Sequence, residues 1–265
     1  MGYDERRWAG KWALVTGASA GIGRALAEQL AAGGANLVLT ARRRDRLEEL
    51  ASKLRAAHSI KTEIFATDLG QPNAPAEIRA FGQSKGLEIE LLINNAGFGA
   101  YGPLHESDLA RQLEMIQVNC SAVVHLTRLY LPQMVARGHG DILIVASVAA
   151  FQAVPYISTY AATKAFDLLF AEGIAEEVRR HGVHVCALCP GSTTTEFREV
   201  AGQPEHTFRG AETAEKVARV GLRALAEGKS SVISGLKNKL SVEGQRLAPR
   251  SLVTRVAAGM FDPHK

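Results

Sequence analysis

Tyr160 and Lys164 stand four residues apart in the run Tyr160-Ala161-Ala162-Thr163-Lys164, thirteen residues after Ser147. On a helix, positions i and i+4 share a face, so a phenol and an ammonium project side by side into one space. A phenol ionises near pH ~10, too high for ready proton exchange at neutral pH. A cation a few ångströms away favours the phenolate and lowers that value, which makes Tyr160 a usable general acid or base. Ser147 can donate a hydrogen bond to a carbonyl oxygen and polarise it. A Tyr-x-x-x-Lys spacing alone carries little weight, because ordinary helix surfaces supply many. Its weight grows beside a nucleotide-binding loop.

The chain has such a loop in Thr16-Gly17-Ala18-Ser19-Ala20-Gly21-Ile22-Gly23. Before it, Trp12–Thr16 is a short apolar run that reads as a buried parallel strand. After it, residues 22–32 carry apolar side chains at helical spacing, and Gly33-Gly34 stops the helix. Gly17, Gly21 and Gly23 remove side chains so that backbone can approach a pyrophosphate at the helix N-terminus, where free N–H groups and the dipole favour an anion. The spacing is Gly-x-x-x-Gly-x-Gly, unlike the common Gly-x-Gly-x-x-Gly. A glycine turn that only packs helix on strand is the plain alternative.

These residues need a scaffold that brings distant loops together. Candidate strands at 14–16, 36–41, 62–67, 91–94, 141–146, 183–188 and 231–233 alternate with helical patterns near 21–32, 43–57, 73–85, 107–136, 158–180 and 212–227. Such alternation predicts an α/β fold: a doubly wound, Rossmann-type parallel sheet in a single domain, with a helical C-terminal extension. Ligands bind beyond the C-terminal strand ends at the switch point. That rule gathers Gly17–Gly23, Asp68, Asn95–Gly97, Ser147 and Pro190–Thr195 at one edge.

With these motifs in this order, the chain resembles the short-chain dehydrogenase/reductase family, in its compact single-domain branch. The resemblance spans roughly residues 9–235, read as the catalytic domain. It rests on the glycine loop, Asp68, Asn94-Asn95-Ala96-Gly97, Asn119, Ser147, Tyr160, Lys164, and Pro190-Gly191 with Thr193 and Thr195. It implies an oxidoreductase that interconverts a carbonyl and an alcohol with a nicotinamide dinucleotide. Ser147 would hold the substrate oxygen, Tyr160 would exchange its proton, and Lys164 would tune the phenol and bind the nicotinamide ribose. Asn119 would hold a water behind Lys164; a helix kink is its alternative role. Strand-end capping is the alternative for Ser147. The cofactor contacts implied are Gly17, Ser19, Ala20, Gly21, Ile22, Gly23, Asp68, Leu69, Asn95, Ala96, Gly97, Tyr160, Lys164, Pro190, Gly191, Thr193 and Thr195. Asp68 would accept from the adenine amino group, or cap the helix starting near Asn73.

The tip of the second strand selects between the two dinucleotides. It ends in Ala41-Arg42-Arg43 with no acid. An acidic residue there would bind a ribose 2′-hydroxyl, whereas guanidinium groups pair with a 2′-phosphate. NADP is therefore expected, on Arg42, Arg43 and the Ser19 hydroxyl. Solvated arginines opening a helix are the alternative, weakened because an N-terminal cation opposes the helix dipole.

Phe98–Tyr101, Ala149–Tyr156 and the stretch after Thr195 should wall the substrate pocket, with Phe98, Phe151 and Phe197 beside Ser147 and Tyr160. The first two segments hold no lysine or arginine, so an uncharged, largely apolar ketone or aldehyde is expected. Residues 196–211 have loop composition and read as a lid. Two other functions share parts of this pattern: a catalytically silent dinucleotide-binding sensor, and a sugar-nucleotide epimerase or dehydratase. The intact Ser147, Tyr160 and Lys164 argue against the first. The short chain, the glycine spacing and the lack of a substantial substrate domain argue against the second.

The chain of 265 residues, 46% of them hydrophobic, can build one sizeable core. Its 31 basic residues face 27 acidic ones, mostly interleaved, and no aromatic-rich strand accompanies Arg42-Arg43-Arg44, so nucleic acid is not expected as a partner. No apolar run reaches the ~18 residues a membrane span needs, and residues 1–12 are too polar for a secretory signal; a cytoplasmic location is expected. Cys186 and Cys189 lie on one strand, three residues apart, so they point to opposite faces and cannot form one chelate or disulfide. No metal site is expected.

Residues 236–265 extend beyond the resemblance. Leu236, Leu240, Leu247, Leu252, Val256 and Met260 form an interrupted stripe among Lys237, Lys239, Arg246, Arg250 and Arg255. The stripe is expected to pack on its own domain or on a partner subunit; lying on an anionic membrane surface is the alternative. A homodimer through the helices holding Val123–Met134 and Phe166–Val178, or a homotetramer, is expected.

Overall fold

The structure, a computed structural model, describes residues 4, 6–205 and 210–263. From the N-terminus the chain runs β1 (Trp12–Thr16), α1 (Gly21–Ala32), β2 (Asn36–Ala41), α2 (Arg44–His58), β3 (Thr62–Ala66), α3 (Ala74–Ser84) and β4 (Ile89–Asn94). It continues through α4 (Leu109–Ile116), α5 (Ala122–Arg137), β5 (Gly140–Val145), α6 (Ser158–Val178), β6 (Val183–Cys189), β7 (Thr193–Thr194) and α7 (Phe197–Ala201). It ends with β8 (Glu212–Thr213), α8 (Ala214–Ala226), β9 (Ser231–Ile233), α9 (Leu236–Gln245) and α10 (Arg250–Phe261). Among the described residues, seven strands form one sheet in the order β3-β2-β1-β4-β5-β6-β9, paired parallel throughout.

Alternation along each strand divides the core in two. Leu14, Val38, Leu92, Ile142 and Ile144 face α3, α5 and α6. Ala13, Val15, Leu37, Leu39, Ile93 and Leu143 face α1, α2 and α8. Each fully buried leucine contributes about 1.5–3 kcal/mol, so both faces need continuous apolar strands, as the sequence has. Cys186 belongs to one cluster and Cys189 to the other. Burial pushes both thiols up to about 12, which suits inert core residues.

Strand order reverses beside β1, between β2 and β4, and there the loops after β1, β4, β5 and β6 converge. Three expectations need correction. The pattern at 107–136 is not one helix. Asp108 caps α4 by accepting from Ala110 N at 2.9 Å, and a π turn at Gln117–Ser121 separates α4 from α5. Second, the α5 side chains Val123, Leu126, Tyr130 and Met134 are buried in the domain's own core, so they are not free for a partner. On the neighbouring helices, Leu109, Leu113 and Ile116 of α4 and Phe166 and Leu169 of α6 are exposed.

The third concerns the C-terminal segment, which packs through other residues than those expected. Val242 and Ala257 are buried, whereas Leu236, Leu240, Leu247, Leu252, Val256 and Met260 are 72, 64, 92, 50, 58 and 52% exposed. The break at Pro249 starts a second helix at a new phase, so a stripe drawn through both does not share one inner face. Asn238 Nδ2 donates to Ser234 O at 2.7 Å, and the Tyr101 hydroxyl donates to Phe261 O at 2.8 Å. Of the expected lid at 196–211, Phe197–Ala201 is helical; residues 206–209 lie outside the described residues.

Candidate active site

The glycine loop is stitched to the β4 loop by Thr16. Its Oγ1 accepts from Asn95 N at 2.9 Å and Ala96 N at 3.0 Å, and Asn95 Nδ2 donates to Thr16 O at 2.8 Å. Gly17 has φ +66, and a Cβ there would lie 2.7 Å from Asn95 Nδ2 and 2.9 Å from Ala96 Cα. Only glycine fits that crossing. Gly23 faces inward, where a Cβ would strike the Gly17 carbonyl and Asn95. It closes helix on loop and does not line the cavity, whereas Gly17, Ser19, Ala20, Gly21 and Ile22 do. No side chain caps α1 at Ala20 and no acid stands in its first turn, which leaves that end's N–H groups and dipole for an anion.

Ser147 follows β5 and opens a short 3-10 turn, Val148–Phe151, where its Oγ accepts from Ala149 N at 3.1 Å. The residue that caps this turn therefore also lines the cavity. Across from it, α6 presents Tyr160 and Lys164, both buried. The ammonium lies 6.0 Å from the Tyr160 ring centre and donates to Val145 O at 2.8 Å and to Asp167 Oδ2 at 2.9 Å. Burial pushes the Tyr160 phenol above its ordinary range, and the Lys164 charge and a hydrogen bond with Ser147 offset only part of that rise. Burial alone would depress Lys164, yet the carboxylate of Asp167, with Tyr160, holds it above the usual ammonium range. The Phe197 ring covers Tyr160 with centres 5.1 Å apart.

Asn119 sits at the π turn, wholly buried. Its amide accepts from Phe98 N at 3.1 Å and donates to Phe98 O and Thr163 Oγ1, each at 3.0 Å. The side chain thus ties the helix kink to the β4 loop and does not line the cavity. Gly97 separates it from Lys164: a Cβ there would be 3.0 Å from Asn119 Oδ1 and 3.4 Å from Lys164 Nζ.

All these loops open on one cavity of about 410 Å³. Among the expected residues it is lined by Arg42, Arg43, Asp68, Leu69, Asn95, Ala96, Gly97, Phe98, Ser147, Tyr160, Lys164, Pro190, Gly191, Thr193, Thr195 and Phe197. Phe151 is not among them; its ring packs against the core from the end of the 3-10 turn. Asp68 accepts from Gly70 N at 2.9 Å, and the N-cap position of α3 is held by Asn73, so Asp68 does not cap that helix. At the far end Arg43 donates to Ser19 Oγ at 3.1 Å and to Glu196 at 2.8 Å, while Arg42 lies 3.8 Å from Glu114.

Several contributors escaped sequence reasoning. Glu196, just after Thr195, bridges to Arg43 and Arg46, Asp167 backs Lys164, and Phe261 reaches the cavity from α10. Only Asp167 carried a signal, being three residues after Lys164 on the same helix.

The donor set fits a dinucleotide: an uncapped helix end on glycine backbone for pyrophosphate, hydroxyl and guanidinium groups for a further phosphate, and a buried Ser/Tyr/Lys cluster beyond. The family model of the short chain dehydrogenases matches residues 11–206. The chain belongs to the short-chain dehydrogenase/reductase family. It is 35% identical over 195 residues to very-long-chain 3-oxoacyl-CoA reductase-A of Danio rerio, covering 72% of this chain and 60% of that protein. The match thus spans about three fifths of that relative's length. Among solved structures, a short-chain dehydrogenase from Sphingobium yanoikuyae in complex with NADPH superposes with TM-score 0.82 at 30% identity, over 92% of this chain and 95% of that one. A 7beta-hydroxysteroid dehydrogenase superposes with TM-score 0.85 at 28% identity, over 96% and 99%.

Proposed function

We propose that the chain is an NADPH-dependent reductase of bulky, apolar ketones, reversible toward the corresponding alcohols. The observation that carries the reading is a cavity with cations at one end and a buried Ser147–Tyr160–Lys164 cluster at the other. Gly17–Gly23 backbone and the α1 N-terminus would hold the pyrophosphate, Arg42, Arg43 and Ser19 the 2′-phosphate, and Lys164 the nicotinamide ribose. Thr193, Thr195 and Gly191 flank the nicotinamide end. When bound, the dihydronicotinamide supplies the hydride.

The chain's own residues handle the oxygen. Ser147 donates to the ketone oxygen and fixes it beside the phenol. Tyr160 delivers its proton as negative charge develops there, and the Lys164 ammonium stabilises the phenolate left behind. Phe197 over Tyr160 keeps bulk water from the reacting centre. In the oxidative direction Tyr160 takes the proton back.

Substrate class follows from the wall. Phe98, Val148, Ile157, Phe197 and Phe261 make it apolar, and two relatives named for 3-oxoacyl and hydroxysteroid substrates fit the same preference. NADPH consumption should be followed with long-chain 3-oxoacyl thioesters, bulky cyclic ketones and keto-sugars. Turnover on the first two classes, absent in Tyr160→Phe, is expected; keto-sugars as the best substrates would overturn the class. As an assembly we propose a homodimer through α4 and α6, which pack on each other and expose the five apolar side chains named above.

A further inference from the structure

The C-terminal helices carry a second apolar surface of different character. On α9, Leu236 and Leu240 lie one turn apart, opposite the buried Val242, with Lys237 and Lys239 falling on either flank of that outer face. On α10, Leu252 and Val256 are turned away from the buried Ala257 and Met260 stands exposed at the rim of that face, with Arg255 beside Leu252 and Val256. Leu247 in the link is 92% exposed. Isolated exposed leucines are ordinary, but six large apolar side chains left exposed within one short segment call for an occupant.

Charge decides which occupant. Between residues 236 and 262 five cations, Lys237, Lys239, Arg246, Arg250 and Arg255, face two acids, Glu243 and Asp262. Arg246 pairs with Glu243 at 3.0 Å, and the other four cations are exposed. A second copy meeting this face across a two-fold axis would oppose cation to cation. An anionic lipid surface answers both features: leucines enter the headgroup boundary, and long basic side chains reach back to the phosphates. Among the described residues no helix is long and apolar enough to cross a membrane, so the chain would lie on the surface and not span it.

We propose that α9 and α10 form a docking face for an anionic membrane surface. The inner side of α10 brings Phe261 into the cavity wall and accepts the Tyr101 hydroxyl bond at 2.8 Å, so the docked segment is also a wall of the substrate chamber. An apolar substrate dissolved in the bilayer would then have a short route to Ser147 and Tyr160. Docking itself does not depend on which carbonyl the site reduces.

Co-sedimentation of the full chain, with NADPH present, on phosphatidylcholine vesicles with and without one-quarter phosphatidylserine tests the face directly. Binding to the anionic vesicles, and release at high salt, is expected. The pair Lys237→Gln/Lys239→Gln should weaken binding on the order of thirtyfold. Leu236→Ser/Leu240→Ser should abolish it while thermal stability and NADPH affinity stay at wild type, since all four side chains are exposed. No sedimentation with anionic vesicles at low salt, or equal binding by both variants, overturns the proposal. So does a wild-type chain that ignores vesicles but whose oligomer dissociates, by analytical ultracentrifugation, in Leu236→Ser/Leu240→Ser; a second copy would then be the occupant. The readout is binding, so an error in the substrate class leaves the result intact.

Discussion

The Lys164 ammonium is held 2.9 Å from the carboxylate of Asp167, one turn further along α6, and both side chains are buried. Among the described residues the second carboxylate oxygen, Oδ1, has no hydrogen-bond partner. That arrangement has two opposed effects on the chemistry. Asp167 keeps Lys164 charged in a site whose burial would otherwise depress it. The same anion pushes the Tyr160 phenol up, against the pull of Lys164 and Ser147. In the proposed mechanism Asp167 would act only through its neighbours, as a positioning residue.

Replacing Asp167 by Asn removes the negative charge and keeps the shape. In the proposed alcohol oxidation the phenolate would be the base, so activity should rise with pH through the Tyr160 ionisation. Loss of the anion lowers that ionisation, so the acidic limb of the kcat profile should move to lower pH. The other groups facing the cluster, Ser147, Cys120 and Cys189, are unchanged; burial pushes the two thiols up, to about 11 and about 12. A limb that stays in place, or moves to higher pH, would refute the tuning role.

Local patterns made most of this site legible, and long-range contacts hid the rest. Tyr160, Lys164 and the glycine loop are read from spacing because each works within one turn or one loop. The opposite faces of Cys186 and Cys189 followed from strand alternation alone. A kink at Asn119 was open as an alternative in the sequence, but not its form as a π turn, whose cause is tertiary: the Asn119 amide bonds to Phe98, 21 residues away. Glu196 was read as a loop residue because its partner Arg43 lies 153 residues earlier. At the C-terminus the segment packs through other residues than the stripe, since Val242 and Ala257 are small enough to seat the helices closely.

Tyr160→Phe removes the transferable proton and little else. Turnover should fall by roughly 10²–10⁴, while NADPH affinity measured by calorimetry stays near wild type. Lys164→Met should lower both, because the ammonium serves the phenol and the ribose. Wild-type kcat in Tyr160→Phe on any reduced ketone would remove Tyr160 from the mechanism.

Asp141 makes a stability prediction. Burial would raise its carboxyl, but bonds from His184, Arg7 and Trp8 outweigh that and hold it below the usual range; the Trp8 bond is 2.7 Å. A depressed carboxylate contributes stability that is present above the unfolded value, ~3.9, and lost as pH falls through the folded one. Asp141→Asn should therefore cost about 1.5–3 kcal/mol at pH 7 in urea unfolding. The gap from wild type should close as pH falls below ~4. A gap that persists unchanged in acid would show that shape, not charge, anchors the N-terminal segment.

Glu196 gives the last prediction. Its carboxylate takes the Arg43 guanidinium at 2.8 Å and also pairs with Arg46, while Arg43 bonds Ser19 Oγ at 3.1 Å. These are the groups proposed to meet the 2′-phosphate, so the Glu196 carboxylate occupies the cation that the cofactor needs. NADPH must displace Glu196 or share Arg43 with it, whereas NADH brings no rival anion. Glu196→Gln should accordingly tighten NADPH several-fold and leave NADH nearly unchanged. Arg43→Ala should do the reverse, weakening NADPH roughly ten- to hundredfold, since a charged hydrogen bond is worth ~1.5–3 kcal/mol. Calorimetric titration of both cofactors against the three proteins separates these effects. Equal wild-type affinity for NADPH and NADH, or tightening of both cofactors alike by Glu196→Gln, would show that Arg43 and Glu196 do not compete over the phosphate.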